Sequence, residues 1–232
     1  YDKNMPVVYN CGNIPRNDRS IAYSNTRHLE LESLPTGGWG YDHFPMSAAY
    51  VRVLGKEFLG MTGKFHKAWG EFGGFKHPNA LIYETSLSLA NGAKCSIGDQ
   101  LHPLGKFEKA TYRLIGKAYS QVELKEPWCS DVKAVTDVAV YTTYIDNKSR
   151  TNSPDIGANR ILLEGHYLYN IIDSECDFSD YKVIIFPDCV EFDESLSQKV
   201  KAFISKGGKI ILSGKSGLTK EEKFFEDFGV EF

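Results

Sequence analysis

Strand-like segments that alternate with helical segments are the feature that most constrains the fold of this chain. Within the first 130 residues, four segments have the composition and length of strands: Pro6–Cys11, His28–Ser33, Phe58–His66 and Ala93–Leu101. Helices are predicted between them and after them, over Ser47–Leu54, from Pro78 to Asn91-Gly92, and after Lys109. Because strands joined through helices pair in parallel, this order predicts an α/β fold.

The rest of the chain repeats the alternation with shorter, more aliphatic segments. Strands are predicted over Val135–Tyr144, Lys182–Phe186 and Lys209–Leu212. Helices are predicted from Pro154 to about Tyr167, after a capping Asp193, and over Thr219–Phe228. The pattern predicts a doubly wound parallel sheet of flavodoxin-like type, with a further strand beginning where the chain stops.

The distribution of aromatic residues predicts where one domain ends and the next begins. All three tryptophans and five of the six histidines precede residue 130. We therefore expect a first domain over residues 1–130 and a second over 131–232. The chain starts at Tyr1 without a methionine, and a strand-like segment follows almost at once. We expect it to be part of a longer protein that is truncated at both ends.

Charge and cysteine content exclude several classes of protein. The formal net charge is −3 and no basic run occurs, which argues against a nucleic-acid partner. No apolar segment is long enough to cross a bilayer, so no membrane partner is expected. The five cysteines lack the spacing of a metal site, so neither a metal nor another cofactor is predicted. Scattered cysteines in odd number favour reduced thiols and a cytoplasmic location.

The first candidate site lies on and after the strand predicted over His28–Ser33. Alternation places His28, Glu30 and Glu32 on one face, and burying two carboxylates is costly unless they have a role. Glycoside hydrolysis needs two carboxyl groups, and Glu32 lies nearer the end of the strand. A glycine-rich loop with Trp39, Tyr41 and His43 follows, as a sugar-binding rim requires. The alternatives are a solvated acidic edge strand and, for Glu30, a salt bridge with Arg27 or Arg52.

Two further clusters follow the next two predicted strands. The first contains Lys64, His66, Trp69 and Glu71 in a loop with four glycines, and an aromatic face there can stack on a sugar ring. The second contains Asp99, Gln100 and His102. The alternatives are a mobile polar loop that contains a tryptophan and a turn capped by Asp99.

Polar side chains that meet at the carboxyl ends of parallel strands are typical of the active-site face of a (β/α)₈ barrel. Such a barrel needs eight strands, whereas about four are visible here. The first domain is therefore predicted to be the C-terminal portion of a TIM barrel. The alternative is a small open α/β sheet that is complete in itself.

The first domain resembles the α-L-fucosidase-like hypothetical glycosyl hydrolases. The resemblance lies in Val7-Val8-Tyr9-Asn10, in Asn17-Asp18-Arg19, and in Glu32 followed by Trp39-Gly40-Tyr41. It implies active-site positions for Arg19 and Glu32, and Asn10, at the end of the matched strand, is predicted to bind substrate. Leu31 replaces the tryptophan that precedes the glutamate in the family. The resemblance also implies that the nucleophilic aspartate precedes Tyr1. In some members of the family the proton-donating glutamate lies in the loop before the strand of Glu32. Here that loop, residues 14–27, contains no glutamate. Glu32 or Glu71 is therefore predicted to donate the proton.

The second domain resembles the β-galactosidase trimerisation domain, which has a class I glutamine amidotransferase-like fold. The resemblance rests on Tyr181–Pro187 and Phe203–Leu212. It implies a homo-oligomer that assembles through this domain.

Two classes of function fit these observations. The first is a fragment of a retaining glycoside hydrolase, α-L-fucosidase-like, which binds a carbohydrate and is inactive by itself. The second is a non-catalytic oligomerisation or scaffolding module. A β-galactosidase-like glycosidase is a further alternative.

Overall fold

The structure, a computed structural model, forms two compact units. It describes residues 26–143 and 152–228, and before residue 26 it describes Met5, Val7, Val8, Ile14, Arg16, Arg19 and Ser20. The first unit comprises Tyr1–Ile14 and Ser20–Ala134, and the second comprises Pro15–Arg19 and Val135–Phe232. The sequence had placed the division after residue 130, and it gave no sign that residues 15–19 belong with the second unit.

The first unit contains a parallel sheet in the order β1-β2-β3. Its strands are β1 (Leu29–Glu32), β2 (Phe58–Gly63) and β3 (Lys94–Gly98), and its helices are α1 (His43–Val51), α2 (Pro78–Ala90) and α3 (Lys109–Lys125). All three strands lie within predicted segments and are shorter than predicted. The predicted strand Pro6–Cys11 falls mainly outside the described residues.

Local sequence explains where α2 begins and ends. Pro78 occupies the first turn, where its missing N–H costs no hydrogen bond, and the ring nitrogen of His77 accepts a hydrogen bond from the backbone N–H of Asn79. After Asn91, Gly92 adopts a positive φ of 79°, which ends the helix with little strain. The helix therefore returns the chain to the amino end of β3, which pairs in parallel with β2.

The second unit contains a parallel sheet in the order β5-β4-β6-β7. Its strands are β4 (Val138–Tyr141), β5 (Tyr169–Ile172), β6 (Val183–Phe186) and β7 (Lys209–Leu212), and its helices are α4 (Ser153–Glu164) and α5 (Glu194–Ser205). The centre of the sheet is fully buried at Ala139, Val140, Ile171, Ile184 and Phe186. Strand β5 was not predicted.

The prediction of a helix over Thr219–Phe228 is wrong. This segment forms turns and one antiparallel bridge between Leu218 and Phe224. The backbone N–H of Thr219 bonds the carbonyl of Lys223, and the Phe225 ring packs 4.6 Å from the ring of Phe192. The spacing of the phenylalanines fits a helix, but the core contact and these turn bonds determine the backbone here.

Both units are therefore α/β with parallel sheets, as predicted. Within residues 26–143 and 152–228 and the few described positions before them, no helix has the length and apolarity to cross a bilayer. Over the same residues, no group of His, Cys, Asp and Glu is arranged to hold a metal ion.

Candidate functional site

The carboxyl ends of the three strands in the first unit meet at one edge of the sheet. Glu32 is the last residue of β1, Lys64 follows β2 directly, and Asp99 and Gln100 follow β3. The pairing continues past the strand ends, because the N–H of Ser33 bonds the carbonyl of Met61 and the N–H of Lys64 bonds the carbonyl of Gly98. Parallel register thus brings together candidate residues that are far apart in sequence.

Glu32 is bound by a tryptophan from the loop after β2. The indole Nε1 of Trp69 donates a hydrogen bond to Oε1 of Glu32 over 2.5 Å. We call residues 65–75 the tryptophan loop. Its base is closed by a bond of 2.8 Å from the N–H of Lys76 to the carbonyl of Lys64. The indole remains 37% exposed, so one carboxylate and one aromatic face lie together at the solvent boundary.

The end of β3 is shaped to receive this indole. A Cβ atom on Gly98 would lie 2.1 Å from Cη2 of Trp69, so no other residue fits at position 98 while the indole keeps its place. The Phe65 ring lies 4.7 Å from the Trp69 ring, and the side-chain amide of Gln100 donates to the Trp69 carbonyl over 2.6 Å. Gln100 Oε1 is buried and has no partner among the described residues.

Lys64 supports the same loop from below. Its side chain is almost fully buried, and its ammonium donates to the carbonyl of Phe72 over 2.7 Å. The ammonium also lies 3.8 Å from Oδ1 of Asp99 and 5.0 Å from the centre of the Phe75 ring. Lys64 thus connects the tryptophan loop to the end of β3.

Glu71 is engaged within its own loop. Its Oε2 accepts a hydrogen bond of 2.6 Å from the N–H of Lys67. Its side chain also folds against Gly74, where a Cβ would lie 2.3 Å from the Glu71 carboxyl carbon. The carboxylate therefore serves as a local brace of the tryptophan loop.

A buried polar network contacts the loop that follows β1. We call this loop, which contains Trp39, Tyr41 and His43, the aromatic loop. Glu84 of α2 accepts hydrogen bonds from Lys76 at 2.8 Å, from Thr62 at 2.6 Å and from the Tyr41 hydroxyl at 3.1 Å. Burial, followed by the negative charge of Glu84, raises the pKa of Tyr41 to about 12. These contacts hold the Tyr41 hydroxyl at α2.

Sequence reasoning missed Glu84 and Lys76. The signal for Glu84 was present, because it shares the buried face of α2 with Leu81, Thr85 and Ser88, at intervals of three and four residues. An acidic residue on a buried helical face needs a buried partner. The partner Lys76 lies in the segment before the helix, and no periodic pattern marks it.

Trp39 and His43 of the aromatic loop contact each other, and His43 contacts Ser33. Trp39 and His43 form an edge-to-face pair with ring centres 4.9 Å apart, and Nδ1 of His43 lies 3.1 Å from the hydroxyl of Ser33. Glu30 pairs with His28 at 3.3 Å, rather than with Arg27 or Arg52 as the alternative had it. The two carboxylates of β1 thus have different partners.

Three predicted site residues make contacts other than those of this cluster. His66 is exposed, and its carbonyl accepts a hydrogen bond from the Thr36 hydroxyl. His102 is exposed, and its Nδ1 accepts the N–H of Leu104 in a turn. Arg19 belongs to the second unit, where it donates to both carboxylate oxygens of Asp173 at 2.8 and 2.6 Å. Asn10 lies outside the described residues.

Comparisons with known proteins give results for both units. The family model described as the β-galactosidase trimerisation domain matches residues 159–229, within the second unit. No curated protein matches. Among solved structures, α-L-fucosidase isoenzyme 2 from Paenibacillus thiaminolyticus is 54% identical, with a TM-score of 0.90 over 96% of this chain and 34% of the fucosidase chain.

Two β-galactosidases share the fold at low sequence identity. The enzymes from Bacillus circulans sp. alkalophilus and from Rahnella sp. R3 are each 16% identical, with TM-scores of 0.68 over 85% of this chain and 34% of theirs. The chain spans about a third of the length of these three proteins. It is therefore glycoside hydrolase-like, with a trimerisation-type match in its second unit.

Proposed function

We propose that this chain is part of a retaining α-L-fucosidase-like glycoside hydrolase and that Glu32 is its acid/base residue. The observation that carries the proposal is the Glu32 carboxylate at the carboxyl edge of a parallel sheet, bound to the Trp69 indole. The 54% identity to a fucosidase supports the substrate class. The substrate is then a terminal α-L-fucoside.

The chemistry requires two carboxyl groups with different tasks. In the first step, protonated Glu32 gives its proton to the glycosidic oxygen while the bond from that oxygen to the anomeric carbon breaks. A second carboxylate attacks the anomeric carbon and forms a glycosyl-enzyme ester. In the second step, Glu32 takes a proton from water, whose oxygen displaces the ester. Because the chain spans a third of the fucosidase, we assign the second carboxylate, an aspartate, to the remainder of the enzyme.

Glu32 is a better candidate than Glu71 because the two carboxylates have different surroundings. Glu32 is the terminal residue of a strand, and one of its oxygens is bound by a side chain that borders solvent. Glu71 binds a backbone N–H of its own loop. A carboxylate that braces a loop cannot turn toward a substrate without opening that loop.

Aromatic and charged groups around Glu32 supply the means to bind a sugar. The exposed part of Trp69 offers an apolar face, and Trp39 of the loop after β1 is a second aromatic candidate. We propose that the polar contacts come from residues near the strand ends, namely Glu30, Tyr41, His43, Lys64, His66, Asp99, Gln100 and His102. Asn10 and Arg19 are assigned to the same role by resemblance alone.

We also propose a specific fold for each of the two units. We assign the first unit to the last four strands of a (β/α)₈ barrel. We assign the second unit to a flavodoxin-like domain, since its strand order follows the first four strands of that arrangement. The trimerisation-domain match supports a homo-oligomer assembled through the second unit. A cytoplasmic location is proposed from the scattered cysteines.

Substitution of Glu32 in the full-length enzyme tests the proposal. Glu32→Gln should slow hydrolysis of an aryl α-L-fucoside with a poor leaving group by about a hundredfold or more, because that step needs a proton donor. A substrate with a strongly acidic leaving group should be affected much less. Glu57→Gln is the matched control, since it removes an exposed carboxylate of the first unit that pairs with Lys94. Unchanged turnover in the Glu32 variant would remove this residue from the chemistry.

A parallel assay separates the substrate classes. The full-length enzyme is offered an aryl α-L-fucoside and an aryl β-D-galactoside under the same conditions. Cleavage of the fucoside alone is the expected result. Cleavage of the galactoside alone would favour the β-galactosidase alternative, and cleavage of neither would favour the scaffolding alternative.

A further inference from the structure

We propose that Trp69 is a positioning residue for Glu32 and that Gly98 preserves the space in which Trp69 can act. The inference rests on the proposed function, because it describes how Glu32 is held for proton transfer. Trp69 itself is assigned no proton-transfer step. Its task is to fix which oxygen of Glu32 faces the leaving group.

The hydrogen-bonding capacity of an indole makes this task specific. The indole N–H is a donor only, so it pairs with an acceptor oxygen and leaves the protonated oxygen of a carboxylic acid free. In this structure it donates to Oε1 of Glu32. The transferable proton therefore resides on Oε2, and the carboxyl group is held in one orientation while that proton comes and goes.

The position of the indole is itself fixed from three sides. Phe65 packs against its ring at 4.7 Å between centres, and Gln100 holds the backbone carbonyl of Trp69 at 2.6 Å. At the third side, the absence of a side chain at Gly98 admits the indole edge, since a Cβ there would lie 2.1 Å from Cη2. These contacts join the end of β3 to the carboxylate at the end of β1 through one side chain.

Correct placement of a proton donor is worth a large factor in rate. A displacement of about 1 Å at a reacting group can cost on the order of a hundredfold. Catalytic groups are therefore held by neighbours whose own conformations are locked by packing. Trp69 meets this description, because its ring, its N–H and its backbone carbonyl each have a partner.

Trp69→Phe in the full-length enzyme tests the proposal, because it keeps a ring and removes the N–H donor. We expect kcat for an aryl α-L-fucoside with a poor leaving group to fall about tenfold to a hundredfold. Activity on a substrate with a strongly acidic leaving group should change little, since that substrate needs no proton. A purely structural defect would slow both substrates equally.

Gly98→Ala provides a second variant in which the indole is present but displaced. We expect the same dependence on the leaving group as in Trp69→Phe. Gly116→Ala is the matched control, because Gly116 lies in α3 with nothing within 4 Å of the position a Cβ would take. The control should keep wild-type rates with both substrates. Thermal unfolding of each variant shows whether the fold is retained.

Combining Trp69→Phe with Glu32→Gln separates this inference from the proposed function. If Trp69 acts through Glu32, the double variant is no slower than Glu32→Gln alone. Additive losses, or equal losses on both kinds of substrate, would overturn the positioning role while leaving Glu32 as acid/base. Wild-type rates in Glu32→Gln would overturn the proposed function whatever Trp69→Phe does.

Discussion

Lys76 and Glu84 form an ion pair that is almost completely removed from solvent. Their side chains are 1% and 5% exposed, and they are 2.8 Å apart. Lys94 and Glu57 form a pair of similar length, 3.0 Å, whose side chains are 71% and 73% exposed. The two pairs lie in the same unit, so they allow the effect of burial on an ion pair to be measured directly.

Lys76→Met should lower the free energy of unfolding by about 3 kcal/mol or more, because it leaves the Glu84 carboxylate buried without its cation. The matched change Lys94→Met should cost less than about 1 kcal/mol, since water solvates the remaining carboxylate. Denaturant unfolding of the wild type and both variants makes the comparison. Equal effects of the two changes would show that burial does not increase the contribution of this ion pair.

The helix α5 shows how one capping side chain begins an element. Oδ1 of Asp193 accepts a hydrogen bond of 2.7 Å from the N–H of Leu196, one of the four amide groups that a helix leaves unpaired at its start. The sequence predicted this cap, because Asp193 directly precedes a run of apolar residues at helical spacing. At α4 an aspartate near the start of the helix has a different role: Asp155 is fully buried and accepts bonds from Thr142, Thr143 and Arg16.

Asp193→Ala should lower the free energy of unfolding by about 1 kcal/mol, because the amide of Leu196 loses its partner. Asp193→Ser should recover most of that loss, since a hydroxyl oxygen can accept the same bond. Thermal unfolding of the three proteins gives the comparison. If serine is as destabilising as alanine, the carboxylate has another role at this position.

Patterns of neighbouring residues predicted most strands and helices, but not the contacts between residues far apart in sequence. The sequence located β1, β2 and β3, although each is shorter than predicted, and proline and glycine gave the limits of α2. The bond between Glu32 and Trp69 could not be predicted in this way, because it joins two loops across the sheet edge and leaves no periodic trace. Strand β5 was missed because the preceding helix was predicted to extend to about Tyr167, two residues before the strand begins.

At the scale of the whole molecule, two arginines from the start of the chain belong to the second unit. Arg16 lies 3.1 Å from Asp155, with side chains 4% and 0% exposed. Arg19 binds Asp173 at 2.6 Å. Asp155 accepts a hydrogen bond from the backbone N–H of Thr143, two residues after β4. Asp173 directly follows β5. Both arginines therefore neutralise carboxylates near the carboxyl edge of that sheet.

Arg16→Met should lower the free energy of unfolding of the second unit by about 3 kcal/mol or more, because Asp155 keeps its hydroxyl and amide donors but loses its cation. Lys182→Met is the control within that unit, since the pair of Lys182 with Asp137 is mostly exposed. Hydrogen exchange of the β4 amides reports on this unit. Equal protection in both variants would contradict the prediction.

The path of the chain has a consequence for moving the second unit into another protein. Residues 15–19 group with the second unit, while the residues on both sides of them group with the first. A gene segment that begins at residue 135 would carry the acidic acceptors at 155 and 173 into a new host without the two guanidinium groups. A fusion that uses this segment therefore needs a recipient that supplies matching cations for these two carboxylates.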